Sequence, residues 1–79
     1  MENKLFKVGL AEVLSGHVFN HDFTLYQGEG DYYKYFGSLK EAILFSNQLV
    51  KDHPEFECSV SNESDEMVYF KSVEKEQFY

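Results

Sequence analysis

Apolar positions recur along this chain with two different periods, and the periods divide it into elements. Leu39, Ala42, Ile43, Ser46, Leu49 and Val50 fall on one side of a 3.6-residue helix, while Asn47, Gln48 and Lys51 fall elsewhere. Ser38 is a good N-cap, and Glu41 three residues on completes a capping box. Pro54 disfavours helical geometry at His53, so the spacing predicts a helix over residues 39–52. Leu44 points away from the apolar stripe and Phe45 lies at its flank, a pair that would extend an exposed patch.

Residues 55–61 alternate with a period of two instead. Phe56, Cys58 and Val60 face one way; Glu55, Glu57, Ser59 and Ser61 face the other. Residues 62–66 read as a polar turn. Residues 67–73 read as the return strand, with Val68 and Phe70 on one face and Met67, Tyr69 and Lys71 on the other. Residues 74–79 are mostly polar and are expected to fray.

The first half is patterned less regularly. Residues 17–26 read as a strand with Phe19, His21, Phe23 and Leu25 on one face. Residues 27–31 hold Gly28, Glu29, Gly30 and Asp31 and read as a turn or loop, followed by a short aromatic strand over residues 32–36. Residues 4–14 fit two periods. As a strand, Phe6, Val8 and Leu10 share a face; as a helix, Phe6, Leu10, Val13, Leu14 and His17 do. Leu5 and Val8 fall off the helical stripe, which favours the strand, and Gly9 weakens either. The expectation is one small α+β domain over residues 1–79: an antiparallel sheet with one helix packed on one face, in the order β-β-β-α-β-β.

Composition fits that picture. At 79 residues and 9.3 kDa, 43% hydrophobic and 18% aromatic, the chain can build one core and no more. Residues 1–4 pass straight into Leu5, Phe6, Lys7 and Val8, so no secretion signal is expected, and no apolar run approaches the roughly 18 residues that span a bilayer. A single cysteine makes no internal disulfide and suits a cytoplasmic location. The sequon Asn62-Glu63-Ser64 is then a chance match.

Charge narrows the partners. There are 14 acids, 7 lysines and no arginine, a formal charge of −7. Residues 1–51 hold six acids and five lysines; residues 52–79 hold eight acids and two lysines. Nucleic acids and anionic membranes are disfavoured as ligands, because both require basic contacts, arginine above all. The field points to a basic protein partner.

Catalytic readings find little to stand on. His17 and His21 are four apart, which on a strand leaves them roughly 13 Å from each other, too far for one metal ion. Cys58 sits beside Glu57 on an apolar face, conditions that raise a thiol pKa rather than lower it. Gly28-Glu29-Gly30 lacks the lysine and hydroxyl of a phosphate loop. Glu55 and Glu57 are paired carboxylates on an open face, without the burial that general acid work needs. An enzyme built on His17, His21 or Cys58 is the weakest reading; no cofactor and no metal are expected.

Surface chemistry remains. Tyr32, Tyr33 and Tyr35 crowd the glycine loop with Tyr26; alternation puts Tyr32 and Phe36 on one side, Tyr33 and Tyr35 on the other. Tyrosine gives large contact area at little entropic cost. Glu55 and Glu57 project about 6.6 Å apart along one strand face, and Glu63, Asp65 and Glu66 crowd the turn nearby. The expected binding set is therefore Glu55, Glu57, Glu63, Asp65 and Glu66 for charge, with Tyr32, Tyr33 and Tyr35 as anchors. In size, acidity and want of catalytic residues the chain resembles the small inhibitors carried by phages and mobile elements, nucleic-acid mimics and anti-CRISPR proteins among them. The resemblance is one of type, covers no motif, and implies no site residues. The alternative is a self-associating structural subunit, a homodimer paired through a sheet edge or aromatic face.

Overall fold

The helix starts and stops where the spacing places it. In the computed structural model, which describes residues 5–79, the elements run β1 (Phe6–Glu12), β2 (Val18–Phe19), β3 (Lys34–Phe36), α1 (Leu39–Asp52), β4 (Phe56–Asn62), β5 (Met67–Lys71) and β6 (Glu76–Phe78). Lys4, where the predicted first strand begins, lies outside the described residues. At the N-terminus of α1 the Ser38 hydroxyl accepts a hydrogen bond from the Glu41 N–H at 3.2 Å. At its C-terminus the His53 N–H donates to Leu49 O at 2.8 Å, and Pro54 follows.

The fold is α+β: one helix packs on one face of a small antiparallel sheet. The sheet runs β2-β1-β4-β5-β6, and β3 also pairs with β1. Period-2 alternation decides which residues meet the helix. Val8 stands opposite Val60, and Leu10 opposite Cys58. These four, with Phe56 and Tyr69 from the sheet and Ala42, Leu49 and Val50 from α1, form the buried core. Each buried Val, Leu or Phe contributes roughly 1.5–3 kcal/mol. Ser46, also buried, satisfies its hydroxyl on Ala42 O at 2.8 Å.

Three details depart from the sequence reading, and one settles what it left open. First, the predicted strand over residues 17–26 shrinks to two residues. Asn20 and Asp22 are turn formers. The Phe23 N–H donates to Asn20 O, the Asp22 carboxylate accepts from the Thr24 N–H and hydroxyl, and Phe23 adopts φ 66°. The chain folds back so that Leu25 bridges Phe19, instead of the two lying along one face. Second, alternation offers two faces in β5 and leaves the choice between them open; the one carrying Tyr69 meets the core, because β5 faces the core with the residue opposite Val60. Third, Glu76–Phe78 does not fray but forms β6 against β5. The Tyr69 hydroxyl donates to Glu76 Oε2 at 2.6 Å, with Asn47 Oδ1 at 3.0 Å, and the Phe78 ring sits 4.9 Å from the Tyr69 ring. One buried phenol thus ties the last strand to the helix. Fourth, Leu44 is exposed as read, but Phe45 does not join it in a patch: Phe36, His21 and the Lys34 ammonium cover its ring.

Tyr69→Phe removes the hydroxyl and keeps the ring. The expected loss is about 1–2 kcal/mol, where the ranges for a neutral and a charge-assisted hydrogen bond meet. Urea denaturation measures it, and hydrogen exchange at the Tyr79 amide, which donates to Val68 O, should quicken more than exchange in β1. Unchanged stability with unchanged exchange would show that β6 is held by its backbone alone.

Candidate functional site

The alternation that buries Val8, Leu10, Cys58 and Val60 sends Lys7, Gly9, Ala11, Glu57, Ser59 and Ser61 to the opposite face of the sheet. Most of these side chains are small. Tyr33 and Tyr35 also stand on this face, and the register puts Tyr35 beside Lys7. Tyr32 joins them instead of lying with Phe36. Regular pairing starts only at Lys34, and before it the Asp31 carboxylate accepts from the Tyr33 N–H at 2.9 Å, turning the chain. Gly30, at φ 80°, supplies the left-handed backbone that returns the loop, and its carbonyl accepts from the Tyr26 hydroxyl at 3.1 Å.

The result is a run of four rings. Centroids lie 4.6 Å apart from Tyr26 to Tyr32, 4.3 Å from Tyr32 to Tyr33, and 6.4 Å from Tyr33 to Tyr35. The Tyr32 hydroxyl donates to the Tyr33 oxygen at 3.0 Å, and that bond raises the Tyr32 pKa. Lys7 lies at the centre of the charged groups. Its ammonium is 4.5 Å above the Tyr33 ring and ion-pairs with Asp65. The hydrogen bond to Asp65 holds the Lys7 pKa above the ordinary lysine value. Asp31 accepts from the Tyr35 hydroxyl, which raises the Tyr35 pKa in turn.

Gly9 makes this arrangement possible. A Cβ at Gly9 would stand 3.2 Å from Tyr33 Cε1 and 3.6 Å from Tyr32 Cε2, so the rings rest directly on the strand backbone. Beyond them, Gly9, Ala11, Ser59 and Ser61 floor a trough of about 210 Å³, with Tyr32 and Tyr33 on one wall and Met67 on the other.

Of the predicted binding residues, the structure gathers Tyr32, Tyr33, Tyr35 and Asp65. It does not gather the remaining acids with them into one ridge. Glu55 and Glu57 lie at the start of β4, and Glu63, Asp65 and Glu66 lie in the turn beyond its far end. Six residues of extended chain separate Glu57 from Glu63, roughly 20 Å. The turn is therefore not near the first two acids, and Ser59 and Ser61 fill the gap. Glu55 stands 3.8 Å from His53 Nδ1. Sequence reasoning missed Lys7, Gly9 and Asp31. The glycine inside a strand pattern was the available signal, since it marks close approach as often as weakness.

The groups weighed for chemistry are placed otherwise. Cys58 is fully buried, and its thiol is pushed up to about 12 by that burial. His17 sits exposed at the β1–β2 hairpin, while His21 points inward, its Nε2 on Val8 O at 2.8 Å. Burial holds the His21 pKa below 6.5, and its Nδ1 is buried without a partner among the described residues. No three His, Cys, Asp or Glu among the described residues stand close enough to share a metal ion.

Two measurements check this geometry. Gly9→Val should tilt Tyr32 and Tyr33 off the strand: the tyrosine near-UV dichroism changes, the far-UV spectrum does not, and stability falls by about 1 kcal/mol, the low end for overpacking because the rings are half-exposed. An unchanged near-UV spectrum would show that Gly9 does not seat the rings. For His21, the unfolded chain takes up its proton first as pH drops below 6.5, so folding stability declines with acidification from 6.5 down to the lowered native value. His21→Gln should flatten that part of the stability–pH curve; an identical slope in the variant would place the titration elsewhere.

No protein-family model, curated protein or solved structure matches this chain, so what its uncovered face does must be argued from the geometry of that face.

Proposed function

We propose that this chain is a non-catalytic binding module that docks on a basic protein and blocks or modulates it. The observation that carries the reading is the gathering of Tyr26, Tyr32, Tyr33 and Tyr35 with Lys7, Asp31 and Asp65 on the sheet face that the helix leaves uncovered. Rings pinned by hydrogen bonds and by the strand backbone lose little entropy on binding, which is what an anchor requires. Carboxylates at the margins of the face, with those of the β4–β5 turn, attract a basic partner and steer its approach.

The partner class that this charge fits is a basic nucleic-acid-handling protein, and the mode of action is inhibition of the kind seen in phage-borne inhibitors, anti-CRISPR proteins and DNA mimics. A cytoplasmic location goes with this reading: Cys58 is a free thiol, and no helix among the described residues is long and apolar enough to cross a membrane. The buried Cys58 thiol and the inward-facing, neutral His21 support a non-enzymatic role. A second reading, self-association, has one observation in its favour: β6 is a sheet edge, and Phe78 and Tyr79 beside it are each 62% exposed.

Affinity capture on the immobilised chain tests the first reading, with Tyr33→Ala and Glu57→Lys baits run in parallel. The native bait should retain basic proteins that elute as salt rises, and each substitution should lower recovery roughly tenfold, as expected for a hot spot. Equal capture by all three baits, or retention indifferent to salt, would overturn it. A concentration-dependent dimer in sedimentation, lost when Phe78 is replaced by Ser, would favour the second.

A further inference from the structure

We propose that the open edge of β6 pairs antiparallel with β6 of a second copy of this chain, about a two-fold axis through Gln77. This rests on the second reading given above, self-association, and specifies its surface and register.

The main chain comes first. Ser72 and Lys75 exchange backbone hydrogen bonds across the β5–β6 turn, and the Tyr79 N–H donates to Val68 O. Bonded and non-bonded pairs alternate along an antiparallel ladder, so Lys75, Gln77 and Tyr79 turn their backbone groups toward β5. Glu76 and Phe78 turn theirs outward, where no strand among the described residues lies and α1 does not reach. That pattern is self-complementary. With the axis at Gln77, Glu76 and the partner's Phe78 exchange both of their bonds, and Phe78 and the partner's Glu76 do the same. An axis at Glu76 would oppose two carboxylates, and an axis at Phe78 would keep only one bonded pair within β6.

Side chains and charge agree with the register. Phe78 packs on the Tyr69 ring yet stays 62% exposed, and it lies diagonal to the partner's Phe78, within reach of an aromatic ring. On the other face Lys75 stands opposite the partner's exposed Tyr79, a cation beside a ring. Residues 52–66 hold six acids and no lysine, whereas residues 67–79 hold Glu74 and Glu76 against Lys71 and Lys75. Two acidic chains therefore meet at a hairpin whose own charges balance, and the acids that would repel lie elsewhere. A two-fold axis normal to the sheet keeps both helices on one side and both tyrosine faces on the other. The dimer thus presents the proposed docking face twice, toward the same side.

The test is sedimentation velocity over a concentration series, in which the native chain should show a monomer–dimer equilibrium. Gln77→Lys and Gln77→Glu each set like charges against each other at the axis and should weaken the dimer about threefold; mixed in equal amounts, the two variants should associate about tenfold more tightly than either alone. Weakening by Gln77→Lys is diagnostic, because it reduces the net charge and would strengthen any contact governed by total charge. Far-UV dichroism checks that both variants fold. In the native chain, hydrogen exchange at the Glu76 and Phe78 amides should slow as concentration rises. A dimer indifferent to both substitutions, or one that leaves those two amides exchanging at the monomer rate, overturns the β6 pairing and leaves self-association standing. A strict monomer at every concentration overturns both.

Discussion

The helix is 14 residues long, about 21 Å, and it is the only one among the described residues. It lies against β1, β3, β4 and β5 from one side. A sheet has two faces, and a chain with one helix can bury only one of them. The second face must therefore be made compatible with water or with another molecule. This chain uses both means: glycine, alanine and serine over the middle of the sheet, and tyrosines over β1 near β3. Tyrosine suits the position because its ring covers backbone while its hydroxyl stays hydrated or bonded.

The same constraint explains the arrangement around Lys7. A lysine on an uncovered face ordinarily extends into water. Here Tyr33 and Asp65 fold it down, and its side chain is 19% exposed. The pair links β1 to the β4–β5 turn across the sheet, and the cation lies flat against the ring. In solvent such an ion pair is worth little. Its effect is more directional than energetic: it holds Tyr33 and masks the Lys7 charge, while Lys75 lies over Phe70 farther along the same face.

How far the fold was legible follows from which residues carry local information. The helix was readable to the residue because Ser38 is a local start signal and Pro54 a stop signal, and β4 was readable because its apolar positions alternate without a break. Residues 17–26 also alternate, but there the alternation misled. Asn20 and Asp22 hydrogen-bond to nearby backbone more readily than they extend a strand, and a turn beat a weak pattern. The choice between Tyr69 and Val68 for the core was not local at all. Phe70 and Val68 look like core residues, but the partners of Tyr69 are Asn47, 22 residues back, and Glu76 across a tight turn. The strand β6 escaped notice for the same reason: three polar and aromatic residues gain their order from the phenol they reach. At the candidate site, the tyrosines were legible as a cluster and Asp65 as part of the acidic turn, whereas Lys7, far from both in sequence, is brought to them only by the pairing of β1 with β3 and β4.

A functional face on a domain this small sets stability against exposure. A chain of 79 residues keeps only a few kcal/mol of net stability, and every large side chain left off the core forgoes about 1.5–3 kcal/mol of burial. Four tyrosines left half-buried over the open face recover only part of that, and solubility alone does not call for them, since lysine or glutamate would serve that end. Tyr35 lies in the edge strand β3, but Tyr32 and Tyr33 rest on Gly9 of β1, so edge protection does not explain the group. The glycine in β1 sharpens the point. A β-branched residue there would strengthen the strand, and the chain instead carries the residue that lets two rings touch the backbone. A strand weakened at one position so that aromatic rings can be seated is the pattern of a surface shaped for contact.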